Sequence, residues 1–177
     1  MPCLSDRGED VKTVIEVLAA TPAKIRREVA AMSAREIRKR PAPGKWSVQE
    51  ILAHLEDIER PGFRARIEAI LSQKHSLLRS FDQEARAVEK RYDRTDPKRT
   101  LESWTRQRRV NLKWLKTLRP AQLKRRGTHD QIGEMTAEQF VCEWAFHDLG
   151  HLKQILEVKR YALYPHIGNM RSYYELS

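Results

Sequence analysis

The sequence predicts an all-α protein, a four-helix bundle with a long crossover between its second and third helices. Three observations carry this. Apolar residues recur at spacings of three and four through most of the chain. Helix-start residues stand at Ser47, Asp96 and Thr136. Glycine is scarce, at seven residues, and no segment sustains a period-two alternation of β-branched residues.

The first helix is expected over about residues 9 to 34, where Val11, Val14, Ile15, Leu18, Ile25, Val29 and Met32 share one stripe. Thr21-Pro22 reads as an N-cap and N1 pair and predicts a kink or restart. The stretch RKRPAPGK (38–45) is a turn, because two prolines and a glycine forbid continuation. The second helix starts at Ser47, with Glu50 completing a capping box and Ile51, Leu55 and Ile58 as its apolar stripe. Pro61-Gly62 should kink it.

Residues 73 to 95 are polar, with Phe81 and Tyr92 as possible anchors. A connection of that length can cross the bundle end to end, which permits helices two and three to run parallel. The third helix opens at Asp96-Pro97 and is expected to reach about Leu118, burying Leu101, Trp104, Leu112, Leu115 and Leu118. A charged, glycine-containing loop follows. The fourth helix opens at Thr136, with Gln139 at the capping-box position, and runs to about residue 160.

The 177 residues suit one domain, with a core over about 9–160 and an irregular tail over 161–177. At 40% hydrophobic, the chain is too apolar to be a disordered tail. It has no apolar run long enough for a membrane span. The opening MPCLSDRGEDVK lacks the apolar stretch of a signal peptide. With only two cysteines, Cys3 and Cys142, there is no disulfide framework, and a cytoplasmic location is expected.

The net charge of +10 is localised: nine basic residues and no acidic ones lie between Arg106 and Arg126. Arg106, Arg109, Lys113 and Lys116 form one outward stripe, and Lys124, Arg125 and Arg126 add a cluster. This invites a polyanion or nucleic-acid reading through segment 106–126. No recognition motif accompanies the stripe and no aromatic residue interleaves it, so a solvated helix face explains it better.

Six histidines occur, and two stand out. His147 and His151 are four apart on the fourth helix, within reach of one ion. Phe140, Glu143, Gln154 and Val158 lie on the same stripe, so that face looks inward. The spacing alone is a weak metal signal, since a satisfied core pair also fits. His54, on the apolar side of helix two, supplies a third ligand. Three imidazoles leave a coordination position open for water or substrate. His75 and His166 read as surface residues, and so does His129, although its loop lies near a bundle end.

Two motifs resemble the DinB-like family. One is Trp46-Ser47 through His54-Leu55 in GKWSVQEILAHLEDIE; the other is His147-Asp148-Leu149-Gly150-His151-Leu152-Lys153-Gln154-Ile155. The segment RGTHDQIGEMT before the last helix also resembles the family, and the likeness spans about residues 9 to 160. The resemblance implies an up-down-down-up bundle with His54, His147 and His151 as metal ligands. It implies a divalent transition metal, with zinc or nickel the expected ions. It also implies a hydrolase, or a transferase using a small-molecule partner such as a low-molecular-weight thiol, and a homodimer. A dimeric bundle without enzymatic activity is the alternative.

Further candidates surround the site. Glu143, one turn before His147, reads as a catalytic proton acceptor, as a partner orienting an imidazole N–H, or as half of an ion pair. Glu50 is explained by its capping box. Arg108 falls in the buried sector with Trp104, Asn111, Leu112 and Leu115, so it should pair with a buried carboxylate or bind a substrate's acidic group. Asp148 beside His147 evokes the H-E-x-x-H pattern, but the glutamate and the further ligand are missing. Cys142 is expected as a small buried hydrophobe and Trp46 as a staple packing near Ile51.

Overall fold

The computed structural model describes residues 7–72, 76–80 and 82–176, so the expectations for Cys3, His75 and Phe81 lie outside the described residues. Helix α1 (Arg7–Ala30) runs unbroken through Thr21-Pro22 instead of restarting there. Thr21 Oγ1 donates to Val17 O at 2.8 Å inside the helix rather than capping a new one. Pro22 has no N–H to give the Leu18 carbonyl, which leaves that oxygen for another donor.

A short helix α2 (Ala34–Arg38) follows, then α3 (Val48–Ile58), which starts with the expected Ser47/Glu50 capping box. The kink expected at Pro61-Gly62 takes the form of a π-helical turn, Glu59–Arg64. A Cβ on Gly62 would stand 2.0 Å from Ile58 Cγ1, so only glycine fits this turn. Helix α4 (Ala65–Ser72) continues from it.

The crossover contains strand β1 (Leu77–Leu78), helix α5 (Gln83–Glu89) and a 3-10 turn at Tyr92–Arg94. Tyr92 anchors it as expected: the ring is buried and its hydroxyl donates to Asp57 Oδ2 at 2.7 Å. Helix α6 (Pro97–Leu115) is capped by Asp96, which accepts from Arg99 N at 3.0 Å, and it ends before Leu118.

Beyond α7 (Pro120–Leu123), the charged loop is a hairpin of β2 (Arg126–His129) and β3 (Gly133–Thr136). β2 pairs antiparallel with β3 and parallel with β1. Strands of two to four residues are too short to show an alternation, which is why this small sheet was not foreseen. Helix α8 (Ala137–Leu163) opens with the Thr136/Gln139 capping box. The tail expected to be irregular winds into 3-10 turns at Tyr164–His166 and Gly168–Tyr173.

The contacts fix the helix directions. Glu56 meets Ser103 and Gln107, Glu59 meets Arg108, and Arg64 meets Asn111, so α3 with its π-turn advances in step with α6. Glu28 meets Lys159 while Leu18 and Asp148 share Arg108, so α1 runs parallel to α8. Arg26 meets Thr105, which sets α1 against α6. The result is the up-down-down-up bundle.

Its apolar core falls into two parts. Leu18, Phe63, Ile67, Phe140 and Trp144 belong to one cluster. Ile25, Ile51, Leu55, Trp104 and Ile155 belong to the other. Fully burying each such side chain is worth about 1.5–3 kcal/mol. Along α6 and α8 the buried polar residues Arg108, Asp148 and His151 fall between the two clusters. A polar layer therefore crosses the middle of the bundle. Among the described residues, no helix is long and apolar enough to cross a membrane.

Candidate metal centre

The three predicted histidines meet in that layer. His54 comes from α3, and His147 and His151 stand one turn apart on α8. His147 Nε2 lies 3.1 Å from His54 Nε2 and 3.0 Å from His151 Nε2. His54 and His151 are buried, and His147 is half-buried.

Neighbouring side chains orient the rings. Gln154 Oε1 is 2.8 Å from His151 Nδ1 and accepts its N–H, which leaves Nε2 bare toward the cluster. The Trp46 indole packs on His54, with ring centroids 5.0 Å apart, and lies parallel to His151. Phe63 meets His147 edge-on at 5.1 Å.

Burial keeps the imidazoles neutral. Desolvation, reinforced by the neighbouring rings, pushes His54 down to about 3 and His147 down to about 2. Burial also lowers His151, with its Gln154 hydrogen bond opposing.

These residues fit a cation. Three nitrogens bound tetrahedrally at 2.0–2.1 Å stand about 3.3 Å apart, close to the spacing here. With Nε2 unprotonated on all three rings, the lone pairs meet at one point, where a cation would hold them together. The Nδ1 atoms of His54 and His147 are buried with no hydrogen-bond partner among the described residues, so no neighbour draws those rings elsewhere. His54, His147 and His151 also form a metal-capable group by distance, with all ligand atoms within 4.8 Å.

Arg108 lies deeper in the layer. Its Nε donates to Glu59 Oε1 at 2.8 Å, and its Nη2 to Glu59 Oε2 at 2.8 Å and Asp148 Oδ1 at 3.1 Å. Its Nη1 donates to Asp148 Oδ2 at 2.5 Å and to Leu18 O at 3.0 Å. That oxygen is the carbonyl Pro22 leaves without a helix donor. Trp104 Nε1 and Asn111 Nδ2 also donate to Glu59, at 2.9 and 3.0 Å. All five guanidinium N–H groups are engaged. The expectation of a substrate-binding Arg108 is therefore corrected: the residue pairs with buried carboxylates and has no donor left for a ligand.

Burial works against the charge on Arg108, but Asp148 and Glu59 outweigh it and hold its pKa above the ordinary value. Burial pushes Asp148 up to about 6 although Arg108 pulls it down.

Glu143 lies one turn before His147, exposed at the surface, yet protein crowds its carboxyl. This desolvation raises its pKa to about 7, with Arg66 opposing and Asp148 reinforcing. It does not orient His147, whose Nδ1 has no partner among the described residues. Glu50 serves its capping box and also takes Arg40 on both oxygens.

Two other expectations change. Cys142 is exposed, because it shares the uncovered outer face of α8 with Phe146 and Leu149. His129 is buried in the small sheet, where its Nδ1 accepts from Gln131 N at 3.2 Å, and it is not part of the histidine cluster. Arg106, Arg109, Lys113 and Lys116 are all exposed, as a solvated face requires. Sequence reasoning missed the role of Glu59 and the tautomer-fixing role of Gln154. The signals were present: Glu59 follows Leu55 by one turn, and Gln154 follows His151 by three residues.

The comparisons agree with this geometry. The curated relative "Putative metal-dependent hydrolase YfiT" from Bacillus subtilis (strain 168) is 26% identical over 150 residues, covering 82% of each chain. A solved structure of YfiT from Bacillus subtilis superposes with a TM-score of 0.81 at 25% identity, over 90% of this chain and 91% of that one. It is described as having an unusual four-helix bundle topology. The DinB superfamily model matches residues 18–155, which include all three histidines, the crossover and the buried Arg108 layer: the chain belongs to the DinB superfamily.

Proposed function

We propose that this protein is a metal-dependent enzyme, with one divalent transition ion held on the Nε2 atoms of His54, His147 and His151. The observation that carries this reading is the convergence of three neutral imidazoles, two buried and one half-buried, on one point, at 3.0 and 3.1 Å. The likeness to YfiT supports hydrolysis as the reaction class. Such an ion, with a fourth position open, supplies Lewis acidity and lowers the pKa of bound water.

The chain's own residues supply the rest. Gln154 fixes the His151 tautomer, while Trp46 and Phe63 wall the imidazoles and limit water around them. Glu143, one turn from His147, is the candidate proton acceptor. A thiol-transfer reaction would use the same ligands with a thiolate as nucleophile.

Metal analysis and zinc or nickel titration of untagged protein test the reading. One ion per chain is expected, lost in the His147→Ala/His151→Ala double variant. Failure of the wild-type protein to bind either ion overturns it.

A further inference from the structure

A cavity of about 470 Å³ opens beside the histidine cluster. Trp46, Ile51, Gly150, His151, Gln154 and Tyr161 line it. His151 is the one cluster histidine in its wall, so the cavity reaches the centre from that side. The volume lies in the range of small-molecule sites.

Gly150 has no structural reason to be glycine. It sits inside α8, where glycine weakens a helix relative to residues with a side chain. Among the described residues a Cβ built there meets nothing within 4 Å, and the backbone does not require positive φ. Gly150 is exposed and lines the cavity next to His151, so a side chain at this position would enter open space at the cavity wall.

The charges in the wall are unbalanced in effect. Glu84 accepts from the Trp46 indole N–H at 3.1 Å, and Glu157 pairs with Arg160 at 2.7 Å. Lys45 and Lys153 also line the cavity, and neither forms an ion pair among the described residues. Arg160 offsets Glu157, so two ammonium groups stand against the single charge of Glu84 and the wall keeps a net positive charge.

We propose that this cavity receives the substrate and selects small organic anions. Lys45 and Lys153 hold the acid group, Trp46 and Ile51 pack against the apolar body, and Gly150 keeps the approach to His151 clear. The proposal rests on the metal-centre reading for what happens to the ligand, but not for its binding.

The test uses two fluorescent probes with one aromatic body: anilinonaphthalene sulfonate, an anion, and neutral phenylnaphthylamine. The wild-type protein is expected to bind one sulfonate probe per chain, about tenfold or more tighter than the neutral one. The Lys45→Glu/Lys153→Glu variant should lose about tenfold or more in sulfonate affinity and keep its affinity for the neutral probe. Gly150→Leu should weaken both probes by about tenfold or more. Leucine favours a helix over glycine, so its fold is not at risk.

Zinc titration of each variant should match wild type. If Gly150→Leu binds both probes as wild type does, the cavity is not the ligand site. If wild type binds the two probes equally, or the lysine variant is unchanged, anion selection is wrong. Absence of zinc binding in wild type would overturn the metal centre alone, and the probe results would still decide the cavity.

Discussion

Arg108→Met removes a cation from between two carboxylates that are each 1% exposed, and its five hydrogen bonds with it. Breaking one side of a buried ion pair costs about 3–5 kcal/mol. Here a ceiling applies, because a stranded carboxyl can take up a proton instead. Relative to folded wild type, whose Asp148 ionises near 6, that proton costs Asp148 about 1.4 kcal/mol at pH 7, and Glu59 loses its cation as well. With the lost hydrogen bonds included, the expected loss stays at about 3–5 kcal/mol, a large share of the roughly 5–15 kcal/mol by which domains are stable.

The ceiling makes the loss depend on pH. Wild-type Asp148 is ionised above about 6. Without Arg108 it stays protonated, so the folded variant binds one more proton than folded wild type. Its deficit then grows as pH rises from 6 to 8, by up to about 1.4 kcal/mol per unit. Below about 6 wild-type Asp148 takes up its own proton and this slope flattens. Urea unfolding at pH 6, 7 and 8, followed by tryptophan fluorescence, measures both quantities. A deficit under about 1 kcal/mol, or one that ignores pH, would refute the account of this cluster.

Other expectations follow from the same geometry. Without bound metal the protein should lose about 1 kcal/mol per unit as pH falls from 6.5 to 5, since the histidines take up protons unfolded but not folded. Asp148 and Glu143, both raised, act with the opposite sign but are fewer, so a stability that rises over this window would contradict the assignment. Gln154→Leu deprives His151 Nδ1 of its acceptor and should weaken zinc binding about 10–100-fold by calorimetry, and unchanged affinity would show the contact to be idle. Gly127→Ala would place a Cβ 2.4 Å from Ser76 Oγ and 2.8 Å from Ile70 Cγ1. That overpacking should cost about 1–3 kcal/mol in thermal unfolding, and an unaltered Tm would show that the sheet yields.

The parts of the fold that were legible are those whose signals are local. Ser47, Asp96 and Thr136 each cap the helix they announce, because a cap needs only a side-chain oxygen and an amide two or three residues on. The histidine cluster was legible because two of its members share a helix stripe and the third sits on an apolar face. What sequence could not reveal depends on distant partners. Thr21-Pro22 has the local form of a helix start, but the oxygen that Pro22 leaves bare is taken by Arg108, 90 residues away, and the helix continues. Cys142 looked like core by residue type, whereas its exposure depends on what covers the outer face of α8.

The Arg108 guanidinium touches every long helix of the bundle: it belongs to α6, and it binds α1 at Leu18 O, the turn after α3 at Glu59, and α8 at Asp148. No one of these helices can open without breaking the same ion. Partial opening that frees a single helix is therefore penalised, and the four should exchange their core amide hydrogens as one cooperative unit rather than in stages. In Arg108→Met that unit should divide, with the α1 amides becoming exchangeable before those of α8.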